Sequence, residues 1–185
     1  MEPQSSRVVY EGEFLRVLLE LWDGRAREIV ERPDVVAVVA IDRDGLIVLV
    51  QQPRPAARRR LLEVPAGRVE PGEDFLASAR RELAEETGLR GGRWEPGPSF
   101  WTTPGFCTER VHLFFAEELE PGEPSPDEGE ELEIVRVPAT SLAERLGEIQ
   151  DGKSLIGLLL YLRYRECGGR LSLGASDAEG MVPPP

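Results

Sequence analysis

The sequence predicts a protein of the α/β (α+β) class, and three observations predict it. β-Branched runs occupy Val35 to Ile41 and Leu46 to Val50, apolar residues Phe75, Leu76, Ala79 and Leu83 recur at helical spacing, and a second helical pattern covers Ser154 to Glu166. A chain of 185 residues that is 41% hydrophobic can bury one sizeable core. Charged residues, 30% of the total, alternate with apolar segments, so the body of the chain is expected to fold.

Taken in order, Val8 to Glu31 reads as short strands bearing Phe14, Val17, Leu19 and Leu21, with a hairpin turn at Asp23-Gly24. Residues 1–32 are therefore expected to form a small N-terminal β unit. The two β-branched runs follow, joined through Asp42-Arg43-Asp44-Gly45, a second hairpin signal, and both read as buried on two faces. Leu61 to Val64 gives a further strand, broken by Pro65-Ala66-Gly67. The period then changes. Glu73-Asp74 supplies a negative first turn and Gly88 a stop, which predicts a helix from about Asp74 to Thr87. Strands are expected again at Ser99 to Trp101, Arg110 to Glu117 and, after an acidic Pro- and Gly-rich loop, Leu132 to Val137. Helical patterns take Ser141 to Gly147 and Ser154 to Glu166. The small, polar, proline-ended tail, residues 172–185, is expected to be poorly ordered, and the main domain is bounded at 33–171.

A formal net charge of -12 argues against nucleic acid or an anionic membrane as partner, since both need clustered positive potential. A small phosphorylated substrate stays open if divalent cations invert the field where carboxylates gather. The two cysteines, Cys107 and Cys167, lack CxxC spacing and suggest neither disulfide nor zinc, which fits a reducing cytoplasm. The polar stretch Met1 to Gly12 does not resemble a signal peptide, and Leu155 to Leu162 is too short to span a bilayer. His112, in an apolar run, reads as an outward-facing strand residue without a catalytic role.

The chemistry concentrates in Gly67 to Leu89. At about 100° per residue, Glu82 and Glu86 share a helix face one turn apart, with Glu85 at its edge. Like charges at this spacing repel, so a helix selected for stability alone would carry Lys or Arg at one of these positions. Oxygen donors gathered without His or Cys suit Mg²⁺ or Mn²⁺. The glutamates alone fit a solvated acidic face as well as a cation site. Arg81, four residues before Glu85, can pair with it and orient it. Gly67 and Gly72 flank a loop where backbone can approach a ligand closely.

This stretch resembles the Nudix box, GX5EX7REUXEEXGU with U aliphatic, at every defined position. Chance would produce such a match on the order of once in 10⁵ sequences. The resemblance covers roughly Val8 to Leu162 and looks closest to the ADP-ribose pyrophosphatase subfamily. Arg54-Pro55, the run Leu62 to Gly67 containing Glu63, and Thr103-Pro104-Gly105-Phe106 resemble its substrate-side segments, and Pro104 stands where that subfamily has a marker proline.

The resemblance implies an α/β/α sandwich around a mixed sheet and hydrolysis of the diphosphate of a nucleoside diphosphate derivative, ADP-ribose first, to AMP and ribose 5-phosphate. It implies Mg²⁺, with Mn²⁺ second, held by Glu82 and Glu86, with Glu85, Glu73 and the Ala66 carbonyl contributing. A glutamate of the acidic loop Pro126 to Glu131 is expected to act on the attacking water, Glu130 first and Glu128 behind it. Arg54 is a candidate guanidinium contact for phosphate or ribose. Many such enzymes offer an aromatic residue from the N-terminal unit to stack on adenine. Ala26-Arg27-Glu28 has none, leaving Arg27 by planar contact, or Trp22. The N-terminal unit is expected to mediate a homodimer. Three alternatives remain: the same chemistry on a UDP-sugar or GDP-mannose, a coenzyme A pyrophosphatase, for which no second motif is found, and a non-catalytic ADP-ribose sensor, which the full set of box glutamates disfavours.

Overall fold

The computed structural model describes residues 1–126, 129 and 131–168. A three-stranded antiparallel sheet of β1 (Ser5–Glu11), β2 (Arg16–Trp22) and β3 (Arg25–Glu31) opens the chain. Its hairpin turns at Asp23 and Gly24, both at positive φ (49° and 74°), the conformation a tight two-residue turn demands.

A second, seven-stranded sheet follows. It is built from β4 (Val35–Asp42), β5 (Leu46–Arg54), β6 (Arg59–Glu63), β7 (Ala66–Arg68), β8 (Arg93–Trp101), β9 (Arg110–Leu119) and β10 (Glu133–Pro138). The main order is β10-β5-β4-β9-β8, with β6 on β5 and β7 on β4. β4 and β9 run parallel and every other pair antiparallel, so the sheet is mixed.

Both faces are covered. Alternate residues of β4 enter two separate cores: Val36, Val38 and Ala40 pack with Phe75, Ala79 and Leu83 of α1 (Phe75–Thr87), while Ala37, Val39 and Ile41 pack with Leu158, Tyr161 and Tyr164 of α3 (Gly152–Glu166). This is why β4 and β5 read as unbroken β-branched runs rather than alternating ones. A short α2 (Leu142–Arg145), flanked by 3-10 turns, adds Leu142 to the α3 side. α1 begins at Asp74, whose carboxylate accepts from Leu76 N and Ala77 N at 3.0 and 3.1 Å. It ends at Gly88, at φ 75°, where a Cβ would lie 2.2 Å from the Gly122 carbonyl oxygen, so only glycine fits.

Three expectations need correction. The Pro65 to Gly67 break carries β7, because Ala66 to Arg68 pairs with β4 after Pro65. β8 starts at Arg93 rather than Ser99, and a register shift between Pro96 and Ser99 absorbs Pro96-Gly97-Pro98. His112 does not face outward. It is 3% exposed, since helices cover both faces of the sheet, and it stacks on Phe75 at 3.7 Å between ring centroids. The poorly ordered tail expected at 172–185 lies outside the described residues. Among those described, no helix is long and apolar enough to cross a membrane, and Cys107 and Cys167 are both free thiols.

Candidate active site

α1 presents the box carboxylates beside β7. Arg81 organises three of them: its Nε and Nη2 donate to the two oxygens of Glu73 at 3.1 and 2.9 Å, and its Nη1 donates to Glu82 at 2.9 Å and Glu85 at 3.0 Å. Nη2 also donates to the Arg68 carbonyl at 3.1 Å, which ties the helix to the end of β7. The pairing predicted between Arg81 and Glu85 is thus one spoke of a larger hub. The Glu73 hydrogen bond, opposed by burial and reinforced by Glu82, holds the Arg81 guanidinium well above its ordinary range. The same bond holds the Glu73 carboxyl below the usual carboxylate range.

Glu82 and Glu86 face the β7 backbone. Glu86, 5% exposed, accepts from Ala66 N at 3.1 Å. A Cβ on Gly67 would lie 1.9 Å from the Glu82 carboxyl carbon, so glycine at this position is what lets the carboxylate lie against the strand. Among the described residues no three His, Cys, Asp or Glu groups are arranged to hold a metal; Glu73, Glu82 and Glu85 converge instead on the guanidinium. The chemistry of the donor set still fits a hard dication. Every candidate donor here is oxygen, four carboxylates and the Ala66 carbonyl, and three of the carboxylates share the Arg81 guanidinium.

A cavity of about 640 Å³ opens beside this face, lined by Ala66, Gly67 and Glu82 on one side and by Arg54, Asp151 and Lys153 on another. Arg54 grips Glu63 with both carboxylate oxygens engaged, Nε to Oε1 and Nη2 to Oε2, each at 2.7 Å. Lys153 Nζ joins them, donating to Glu63 Oε2 at 2.7 Å and to Asp151 Oδ2 at 3.0 Å. Asp151 caps α3 by accepting from Ser154 N at 2.9 Å, and Ser154 Oγ accepts from Val64 N at 2.9 Å, docking α3 on the strand that leads to Gly67. Burial alone would raise the Glu63 carboxyl, yet the hydrogen bonds and charges of Arg54 and Lys153 hold it below its ordinary range. Asp151 shows the same balance, burial being outweighed by Lys153 and Ser154. Arg54 is raised, chiefly by the Glu63 hydrogen bond.

The structure therefore gathers Glu73, Arg81, Glu82, Glu85 and Glu86 beside Ala66, of which Ala66, Arg81 and Glu82 line the cavity, and joins Arg54, which also lines it, to the buried Glu63. It does not bring Gly105 or Arg27 into the lining. Gly105 is exposed in the turn at Thr103 to Phe106, and Arg27 is exposed in β3 opposite Glu20. Glu128 and Glu130 lie outside the described residues. The loop that leads to them is anchored beside the box, since Ser125 N donates to the Glu85 carbonyl at 2.8 Å. Sequence reasoning missed Lys153, and it missed Phe14 and Trp101, half-exposed aromatics of the cavity wall with Arg68 and Arg110 guanidinium groups over their rings at 4.7 and 5.2 Å. His112 acts behind α1: its Nε2 lies 2.7 Å from Asp34 Oδ2 and its Nδ1 2.8 Å from Ser99 Oγ, which fixes the ring under Phe75.

A loop-helix-loop of this composition, laid on a mixed sheet with a helix on the opposite face, defines the Nudix architecture. The NUDIX domain family model matches residues 31–156, and the chain belongs to that family. An ADP-ribose pyrophosphatase of Bacillus subtilis is 40% identical over 155 residues, covering 80% of this chain and 83% of the relative. One from Mycobacterium tuberculosis is 38% identical over 138 residues, covering 72% of this chain and 67% of the relative. A GDP-mannose pyrophosphatase of Cronobacter sakazakii is 32% identical over 151 residues, 75% of this chain and 78% of its own. The crystal structure of an ADP compounds hydrolase superposes with a TM-score of 0.79 over 92% of this chain and 96% of that one; at 21% identity this is a likeness of fold.

Proposed function

We propose that this protein hydrolyses the diphosphate bond of ADP-ribose, releasing AMP and ribose 5-phosphate, with Mg²⁺ as the working cation and Mn²⁺ able to replace it. The observation that carries the reading is the convergence of Glu73, Glu82 and Glu85 on Arg81, with Glu86 against Ala66 N, beside a cavity that Ala66, Arg81 and Glu82 line. The names of the relatives at 40% and 38% identity favour ADP-ribose among nucleoside diphosphate derivatives. Glu82 and Glu86 would be the principal ligands, with Glu85, Glu73 and the Ala66 carbonyl contributing. When bound, the metal supplies neutralisation of phosphate charge and a lowered pKa for the attacking water.

The residues of the chain do the rest. Arg81 keeps Glu73, Glu82 and Glu85 aimed as a unit. Arg54, locked by Glu63 and 40% exposed, offers its remaining N–H groups to phosphate or ribose oxygen. Phe14 and Trp101 offer aromatic surface for the base within one chain. Glu130, with Glu128 behind it, is assigned to hold and deprotonate the water, from a loop that begins against Glu85. We also propose a cytoplasmic homodimer formed through the N-terminal sheet, where Val8, Val9 and Tyr10 of β1 are exposed. Arg27 and Trp22 would then serve the adenine of the second copy, and Gly105 would contact substrate through its turn.

The GDP-mannose pyrophosphatase relative favours one second reading, the same hydrolysis on GDP-mannose. The test is to incubate the protein and Mg²⁺ with ADP-ribose, UDP-glucose, GDP-mannose, NADH and coenzyme A and to follow nucleotide release. AMP from ADP-ribose, abolished by chelator, is expected. Faster turnover of GDP-mannose keeps the mechanism and replaces the substrate, whereas tight ADP-ribose binding without any turnover indicates a sensor.

A further inference from the structure

Of the 22 basic residues in this chain, Lys153 is the sole lysine. It occupies the second position of α3, where the positive end of the helix dipole disfavours a cation, so local helix energetics do not account for it. Its partners draw charge from it but have other hydrogen-bond donors. Both Glu63 oxygens already accept from Arg54, and Asp151 Oδ2 already accepts from Ser154 N and Oγ at 2.9 and 2.5 Å. Two carboxylates on different elements hold the ammonium at one point of the cavity wall.

The same cavity is lined by Glu82 and Gly67 of the box, and the Lys153 side chain keeps 15% of its surface exposed. An ammonium has three N–H donors. Two go to Glu63 and Asp151, and among the described residues the third has no protein acceptor. Arginine fills the other 21 basic positions of this chain, but its planar fork delivers donors in pairs, whereas lysine delivers a compact charge whose last donor, once the other two are engaged, is directed toward one oxygen.

We propose that Lys153 is a substrate-binding residue that donates this third N–H to a phosphoryl oxygen of the substrate. The assignment rests on the reading above, that the cavity takes a nucleoside diphosphate derivative. With Arg54 and Glu63 it would grip the diphosphate opposite the box, and because Glu63 and Asp151 offset the charges of Arg54 and Lys153, the grip is set by direction rather than by net attraction.

A sole lysine makes the test direct. Wild-type protein with Mg²⁺ is acylated by an N-hydroxysuccinimide ester, with and without the ADP-ribose analogue whose bridging oxygen is replaced by CH₂ and which resists hydrolysis. Acylation of Lys153 and of the chain's α-amino group is read separately by peptide mass spectrometry. With analogue at ten times its Kd, Lys153 acylation slows by about tenfold while the α-amino group is unaffected. In parallel, Lys153→Met raises the calorimetric Kd for the analogue on the order of tenfold. Since wild-type labelling needs no variant to fold, a defect in Lys153→Met does not decide the matter. Unaltered Lys153 acylation at saturating analogue overturns the assignment and leaves the substrate reading standing. Failure of the wild type to bind the analogue at all overturns both.

Discussion

The two walls of the cavity handle charge in opposite ways. On the α1 wall, three carboxylates, those of Glu73, Glu82 and Glu85, converge on the one guanidinium of Arg81, and Glu86 accepts from Ala66 N. On the other wall, Glu63 and Asp151 face Arg54 and Lys153, one cation for each carboxylate. The difference separates what stability can explain from what it cannot. A balanced buried cluster is a tie between elements, and its loss costs structure. A cluster in which carboxylates converge lowers stability and points to an outside cation that completes it.

The sharpest way to break this comparison is Glu82→Gln. It removes one of the three carboxylates that converge on Arg81, so kcat/KM for ADP-ribose with Mg²⁺ should fall on the order of 10³-fold, about 4 kcal/mol of transition-state stabilisation. The urea midpoint should stay the same or rise. A large loss of stability with little loss of rate would reverse the roles of the walls.

Glu63→Gln probes the balanced wall. Glu63 is 0% exposed and serves two cations, so the substitution should destabilise by about 3 kcal/mol in urea unfolding. Asp74→Ala, which removes the α1 cap, should cost about 1 kcal/mol without changing the metal requirement, and chemical denaturation with a metal titration checks both.

The smallest expected effect concerns pH. Glu63 and Asp151 are held below the ordinary carboxylate range when folded. Their contribution to stability is therefore present above the unfolded value, about 4, and is lost as pH falls through the lower folded values. Unfolding followed from pH 6 downward should show the wild type losing stability in that window and Asp151→Asn losing less. Equal slopes would remove Asp151 from the ion network.

How much was legible in the sequence follows the range of the interactions. α1 was readable nearly to the residue because its signals are local: a capping Asp74, a helical apolar period and Gly88 at the stop. The box carried the acidic face for the same reason. β7 and the first half of β8 were hidden, because Pro65 and Pro96-Gly97-Pro98 are local breakers that pairing with β4 and β9 overrides. His112 was misplaced because alternation assumes one solvated face, and Phe75, far away in the chain, covers it. Lys153 left no motif at all. Its partner Glu63 is 90 residues away, and only the fold makes them neighbours.

The central claim is that the α1 wall, and not its balanced counterpart, recruits the dication. Mn²⁺ binding read by electron paramagnetic resonance, on wild type and on Glu82→Gln, Glu86→Gln and Glu63→Gln, tests it without any substrate. The account predicts that both box substitutions weaken Mn²⁺ about tenfold or more while Glu63→Gln leaves the affinity within about threefold. Unaltered affinity in the box variants, or a larger loss in Glu63→Gln than in either of them, would contradict it.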